Sequence, residues 1–149
     1  MIEPLENPAY DVVWLIRRLF RALSDLAERY LKEDGLTAAN RAVLEFLYPD
    51  EKLSVPAIAS QYRVSRQHIQ VTANQLLARG LIRAVANPDH KRSPLLRLSI
   101  SGRDTFAEIR RNESALVEKM FAELHQDDIE VARRVLRSLL MRVESGELL

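Results

Sequence analysis

Apolar residues recur at three- and four-residue spacing along most of this chain, and change to strict alternation over one short stretch beyond its middle. The first periodic run carries Val12, Val13, Ile16, Leu19, Phe20, Leu23, Leu26, Ala27, Tyr30 and Leu31, the spacing of a single helical face. Asn7 before Pro8 predicts its start, because an Asn side chain satisfies an orphan amide and proline needs no amide partner in the first turn. Gly35 predicts its end, since glycine takes the left-handed conformation that closes a helix without a Cβ clash. At a 1.5 Å rise, roughly 25 residues make a rod on the order of 40 Å long. A compact chain of this size has a radius of gyration of only about 15 Å. So long a rod, with so broad a stripe, is more readily buried against a second subunit than within one domain.

Shorter elements follow. Thr37 predicts the cap of a second helix reaching about Tyr48, with Val43, Leu44 and Leu47 inward, and Pro49-Asp50 ends it. Ser54 predicts the cap of a short helix over 55–61, with Val55, Ile58, Ala59 and Tyr62 on one face. Only Arg63 and Val64 separate it from Ser65, which opens a further helix closed by Gly80; two helices joined so tightly must cross at a steep angle. In that helix Ile69, Thr72, Ala73, Leu76 and Leu77 face inward, and Arg66, Gln67, Gln70, Val71 and Asn74 face out. Two strands are predicted over 81–86 and 95–100, the second alternating Leu96, Leu98 and Ile100 against Leu95, Arg97 and Ser99. Between them lies Asn87-Pro88-Asp89-His90-Lys91-Arg92-Ser93-Pro94, stiffened by proline at both ends, with Lys91 and Arg92 projecting. Ser101-Gly102-Arg103-Asp104 is a variant capping box opening another long helix through Phe106, Ile109, Leu116, Val117, Met120, Phe121 and Leu124. Asp127 predicts the cap of the last helix, striped by Ile129, Ala132, Val135, Leu136, Leu139, Leu140 and Val143. With no repeat, low-complexity tract or flexible linker, the expectation is one domain over 1–149 whose two ends lie together.

Charge gives this pattern a direction. From 63 to 103 there are eight Lys or Arg residues, one acid (Asp89) and no Glu, about +7 net, in a chain whose total is +1. The window contains the outward-facing helix and the hairpin, so the cations sit where phosphates are met. Arg forks onto guanine, Gln or Asn pairs bidentately with adenine, and a long guanidinium on a projecting hairpin suits the negative potential of a narrow minor groove.

Other chemistries have little to stand on. The three histidines, His68, His90 and His125, show no metal-ligand spacing; His68 is expected to face DNA or the helix start and His125 to lie beside a helix C-terminus. Zero cysteines exclude disulfides, thiolate metal sites and thiol redox sensing within this chain. With four glycines and no phosphate loop or nucleophile elbow, neither an enzyme nor a bound cofactor or metal is expected. The 47% hydrophobic content is that of a globular protein. No apolar run is long enough to span a bilayer, and the acidic opening over 1–6 lacks the basic and apolar regions of a leader, so a cytoplasmic location is expected.

The run SVPAIASQYRVSRQHIQVTANQLLARGLIRAVANPDHKRSPLLRLSISG resembles the MarR (multiple antibiotic resistance regulator) family of winged-helix transcription factors, and the order of elements extends the resemblance to nearly the whole chain. Its more specific pieces are the helix-turn-helix over 54–77, the LLARGLIR junction over 76–83, the NPDHKRS wing over 87–93 and LSISG over 98–102. The resemblance implies a mainly α fold with a small β-hairpin wing: six helices with the hairpin between the fourth and fifth, a winged helix-turn-helix lobe over 37–100, and dimerisation helices over 6–34 and 102–145. It implies a homodimer, usually a repressor, on a pseudo-palindromic double-stranded operator. A small aromatic or phenolic effector, bound between the dimerisation helices and the lobe, is implied to release it; Tyr10 and Trp14 are candidates to line such a site, or to lie in core or interface. The DNA-contacting set implied is Ser65, Arg66, Gln67, His68, Gln70, Asn74, Lys91, Arg92 and Ser93. Ser65 matches the family's cap, Leu76 and Gly80 its helix end, and Arg92 its wing-tip arginine. Two positions depart. His90 stands where the family has an acid bridged to that arginine, leaving Asp89 as the substitute, and Val71 stands where relatives are often basic. The alternative from another class is a winged-helix module that binds a protein partner and has lost DNA; acidic replacements on the recognition helix would favour it, and there are none.

Overall fold

A computed structural model describes residues 7–148. The acidic opening over 1–6, on which the leader expectation rested, lies outside the described residues. Among the described residues six helices and three strands follow in order: α1 (Pro8–Glu33), α2 (Ala38–Leu47), β1 (Leu53–Ser54), α3 (Val55–Tyr62), α4 (Arg66–Ala78), β2 (Ile82–Val85), β3 (Leu95–Leu98), α5 (Ile100–Phe121) and α6 (Gln126–Glu144). The chain divides into two compact units between Glu108 and Ile109.

In the first unit the expected local signals operate. Asn7 Oδ1 accepts the Ala9 amide at 2.9 Å and starts α1. Thr37 and Asn40 form a reciprocal capping box, Thr37 Oγ1 taking the Asn40 amide at 3.1 Å and Asn40 Oδ1 the Thr37 amide at 3.0 Å. Ser54 caps α3 through the Ala57 amide at 3.3 Å. Gly35 takes a φ of 66° as α1 ends.

The core lies where α2, α3, α4 and the sheet converge. Val43, Leu44, Leu47, Ile58, Ile69, Ala73 and Leu76 are fully buried, as are Leu96 and Leu98 from the inward side of β3 to within a few per cent. Phe106 joins them from the first turns of α5, its ring 5.1 Å from that of Tyr48. The sheet is ordered β1-β3-β2 and is antiparallel throughout, with Leu53 opposite Leu96 and Ile82 opposite Leu98. Both hairpin strands are shorter than the alternation predicted. β1 carries no sequence signal: two residues are too few for periodicity, and only their pairing with β3 makes them a strand.

The start of α5 differs from expectation. Ser101 is not its cap; the helix begins at Ile100, and Ser99 Oγ accepts the Gly102 amide at 2.9 Å while donating to the Gly80 carbonyl at 2.6 Å. β3 runs almost directly into the helix, so the last extended residue does the capping. Here two segments touch backbone to backbone: a Cβ on Gly102 would lie 1.8 Å from the Leu81 carbonyl oxygen.

Periodic apolar residues on α1 meet a different fate. Leu31 is the one described residue of α1 that is buried, and Leu19 and Phe20 are 54% and 71% exposed.

In the second unit, α6 buries none of its side chains. Asp127 does not cap it. His125 takes the N-cap position with no side-chain bond, in place of the C-terminal position expected for it, and Asp127 and Asp128 lie in the first turn, where carboxylates oppose the positive end of the helix.

Candidate nucleic-acid interface

The direction of α4 is set by the turn before it. Arg63 closes α3 in the left-handed region, at φ 59° and ψ 44°, and its amide bonds to the Ala59 carbonyl. A residue with a Cβ is strained there by roughly 1–2 kcal/mol. Val64 donates to the same carbonyl at 3.1 Å, and Ser65 returns to extended geometry with its Oγ accepting the His68 amide at 3.1 Å. Ser65 thus engages its hydroxyl oxygen in starting the helix.

α4 then has two clean faces. Ile69, Ala73 and Leu76 are buried, and Thr72 satisfies its buried hydroxyl by donating to the His68 carbonyl at 3.0 Å. Arg66, Gln67, His68, Gln70, Val71 and Asn74 are all exposed. On that outer face Gln70 Nε2 donates to Asn74 Oδ1 at 2.9 Å. At the far end Arg79 bonds the carbonyls of Gly35 and Asp34 at 2.7 and 2.8 Å, where the unpaired carbonyls of α1 favour a cation.

The wing is organised by Asn87. Its Nδ2 donates to the Ser93 carbonyl at 2.9 Å and its Oδ1 accepts the Asp89 amide at 3.1 Å, while the His90 amide meets the Asn87 carbonyl at 3.3 Å. One side chain therefore spans both ends of the loop, in an Asx turn that the Asn-Pro-Asp run could have signalled. No ion pair joins Asp89 to Arg92 among the described residues, so Asp89 does not replace the family's missing acid; the Asn87 amide shapes the loop instead. Lys91 and Arg92 stay exposed at the tip.

Helix and wing enclose a groove of about 490 Å³. Arg66, Gln67 and Gln70 form one wall and Arg92 and Ser93 the other, over a floor including Leu77, Ala84 and Leu96. Of the nine expected contact residues these five share the groove; Ser65, His68, Asn74 and Lys91 lie outside its lining. Val55 and Pro56, which line it from the start of α3, carried no signal in the sequence beyond their helical face.

The other cations of the basic window divide. Arg79 holds the α1–α2 turn, and Arg103 pairs with Asp50. Arg83 and Arg97 stand directly opposite each other on β2 and β3, a like-charge pair that weakens a sheet. Arg97 Nε is buried without a hydrogen-bond partner. Among the described residues no cluster of three or more His, Cys, Asp or Glu side chains forms that could hold a metal ion, and no helix is long and apolar enough to cross a membrane.

Two helices crossing at a tight turn, with a hairpin flanking the exposed face of the second, define a winged helix-turn-helix lobe. Known proteins narrow the class. The model of the MarR family matches residues 34–93. Uncharacterized protein Rv2011c of Mycobacterium tuberculosis is 30% identical over 145 residues, covering 97% of this chain and 98% of that protein. The crystal structure of MarR family transcription regulator SP03579 matches with a TM-score of 0.86 at 25% identity, over 92% of this chain and 91% of that one. Streptococcus pneumoniae FabT, crystallised in complex with DNA, shares the fold with a TM-score of 0.80 at 17% identity, over 93% and 99% of the two chains. The chain belongs to the MarR family of transcription regulators. Members of this class are DNA-binding proteins and not enzymes.

Proposed function

We propose that this protein is a homodimeric, sequence-specific regulator, a repressor that binds a pseudo-palindromic duplex and leaves it when a small aromatic or phenolic effector binds. The observation that carries the reading is the groove between α4 and the wing, where Arg66, Gln67 and Gln70 face Arg92 and Ser93. The only carboxylate from 63 to 103 is Asp89. A surface so rich in donors and so poor in acids suits a polyanion. FabT, which shares the fold, was crystallised in complex with DNA.

In this reading one domain over 1–149 carries a DNA-binding lobe over 37–100, and helices over 6–34 and 102–145 join two copies. The dimer is supported by two uncovered stripes. On α1, Leu15, Leu19 and Phe20 are 50–71% exposed, and on α6, Leu136, Leu140 and Val143 are 47–66% exposed. Apolar surface on this scale is closed most simply by a second copy. Two copies then present α4 to successive major grooves roughly 34 Å apart. Ser65, Arg66, Gln67, His68, Gln70 and Asn74 serve the major groove, with Ser65 acting through its cap; Lys91, Arg92 and Ser93 serve the backbone and minor groove. Tyr10, 57% exposed on α1 and one turn from the half-exposed Trp14, supports an aromatic effector contact there.

Affinity for duplex DNA across a salt series tests the reading. A steep log–log loss of affinity with salt is expected from released counterions, and no binding at low salt would favour a protein-binding module instead. Arg92→Ala is expected to weaken binding to most duplexes, whereas Gln70→Ala acts mainly on specific sites. Equal losses for both variants on selected and random duplexes would break that division.

A further inference from the structure

The outer face of α4 holds three residues that chain-wide charge does not explain. Gln70 and Asn74 are joined to each other through Gln70 Nε2 and Asn74 Oδ1 at 2.9 Å. Val71 stands beside them, 52% exposed, at a turn where an aliphatic side chain gains nothing from water. The bond occupies one donor of Gln70 and one acceptor site of Asn74. It leaves Gln70 Oε1 as an acceptor and Asn74 Nδ2 as a donor on an exposed face, one helical turn apart.

We propose that Gln70 and Asn74 act as one reading head for adenine and that Val71 beside them contacts a thymine methyl, so that α4 selects an A·T step. This rests on the DNA-binding reading above and adds base identity to it. Adenine presents N7 as acceptor and N6–H as donor in the major groove, complementary to Asn74 Nδ2 and Gln70 Oε1. Guanine presents two acceptors there, N7 and O6, and the second would face Gln70 Oε1 without a proton between them. Cytosine offers a donor alone. Thymine is the one base with a methyl in the same groove, and Val71 is the one large aliphatic side chain exposed on α4. The mutual bond fixes two flexible amides before binding, so a single head is formed in place of two independent side chains.

The plain alternative is an amide pair that only steadies a helix surface. Selection of the full-length protein on a library of randomised duplexes separates the two. Wild type should enrich an A·T pair at a fixed half-site position by about tenfold over G·C. Gln70→Ala and Asn74→Ala should each erase the preference at that same position, and the double variant should lose no more than either alone. Gln70→Glu, which accepts but cannot donate, should shift the preference toward cytosine. Replacing the contacted thymine by deoxyuridine removes one methyl and should cost wild type about fourfold in affinity, and Val71→Ala nothing. All these residues are exposed, so unchanged melting is the check on folding. A selected motif that survives these substitutions, or equal uracil losses with and without Val71, overturns the reading head and leaves DNA binding standing. Enrichment of no motif by wild type overturns sequence-specific recognition and the reading head together.

Discussion

α4 and α6 are both amphipathic, and their apolar positions recur with the same period, yet one is covered and the other is not. Ile69, Ala73 and Leu76 on α4 reach zero exposure, and α6 buries no side chain at all. The difference is one of neighbours. α4 is met by α2, α3 and β2 within its own unit, whereas the stripe of α6 stays exposed among the described residues. Periodicity therefore announces a helix with an apolar face and leaves open whether the cover comes from the same chain. The same reading applies to α1, where Leu31 alone is buried beside a long exposed stripe.

The contrast can be broken from the lobe side first. Gly102→Ala should unfold the lobe, because a Cβ 1.8 Å from the Leu81 carbonyl oxygen meets backbone that cannot step aside. The cost should reach or exceed the upper end of the roughly 1–3 kcal/mol of ordinary overpacking. A thermal melt within a degree or two of wild type would show that the junction adapts.

From the other side, Leu136→Glu introduces a charge into the α6 stripe without touching the core of the lobe. In the proposed dimer, association should weaken by about 2 kcal/mol or more, some thirtyfold in Kd, with lobe stability retained. Sedimentation of the variant and wild type at matched concentrations decides it, and an unchanged dissociation constant would remove α6 from the interface.

Smaller effects sharpen the description of the lobe. Arg63→Gly relieves a left-handed residue in the turn before α4 and should raise stability by roughly 1 kcal/mol; a lower chemical-denaturation midpoint would mean that its side chain does more for the fold than its backbone costs. Arg83→Glu replaces a cross-strand like-charge pair with an opposite pair against Arg97 and should add about 0.2–1 kcal/mol at low salt. That gain should fade as salt is added. A salt-independent change would point to packing as its source.

Much of this was legible before any coordinates because it is local. Asn7, Thr37, Ser54 and Ser65 each cap within three residues of themselves, Gly35 and Gly80 take positive φ, and the inward face of α4 follows from spacing alone. Features that join distant segments were not legible. β1 exists only through its pairing with β3, Ser99 displaces Ser101 as the cap of α5 because Gly80 and Leu81 lie beside it, and Asp127 falls inside a helix that starts earlier than its side chain suggested. At the candidate site, the residue types and the outward face were readable, and five expected residues share one groove. The Gln70–Asn74 bond follows the i, i+4 spacing of two amide side chains on one helix face. Asn87 acts through an amide that spans the loop, which charge patterning does not register and which makes a salt bridge at Asp89 unnecessary.

Arg79 ties carbonyls 44 and 45 residues earlier in the chain to the far end of α4. That tie closes a ring: the chain runs from the foot of α1 through α2 and α3 to α4, and the guanidinium returns it to its origin. A structure joined along two paths behaves as a truss, in which members cannot rotate independently. α4 cannot swing about the base of the long rod without opening two charge-assisted bonds.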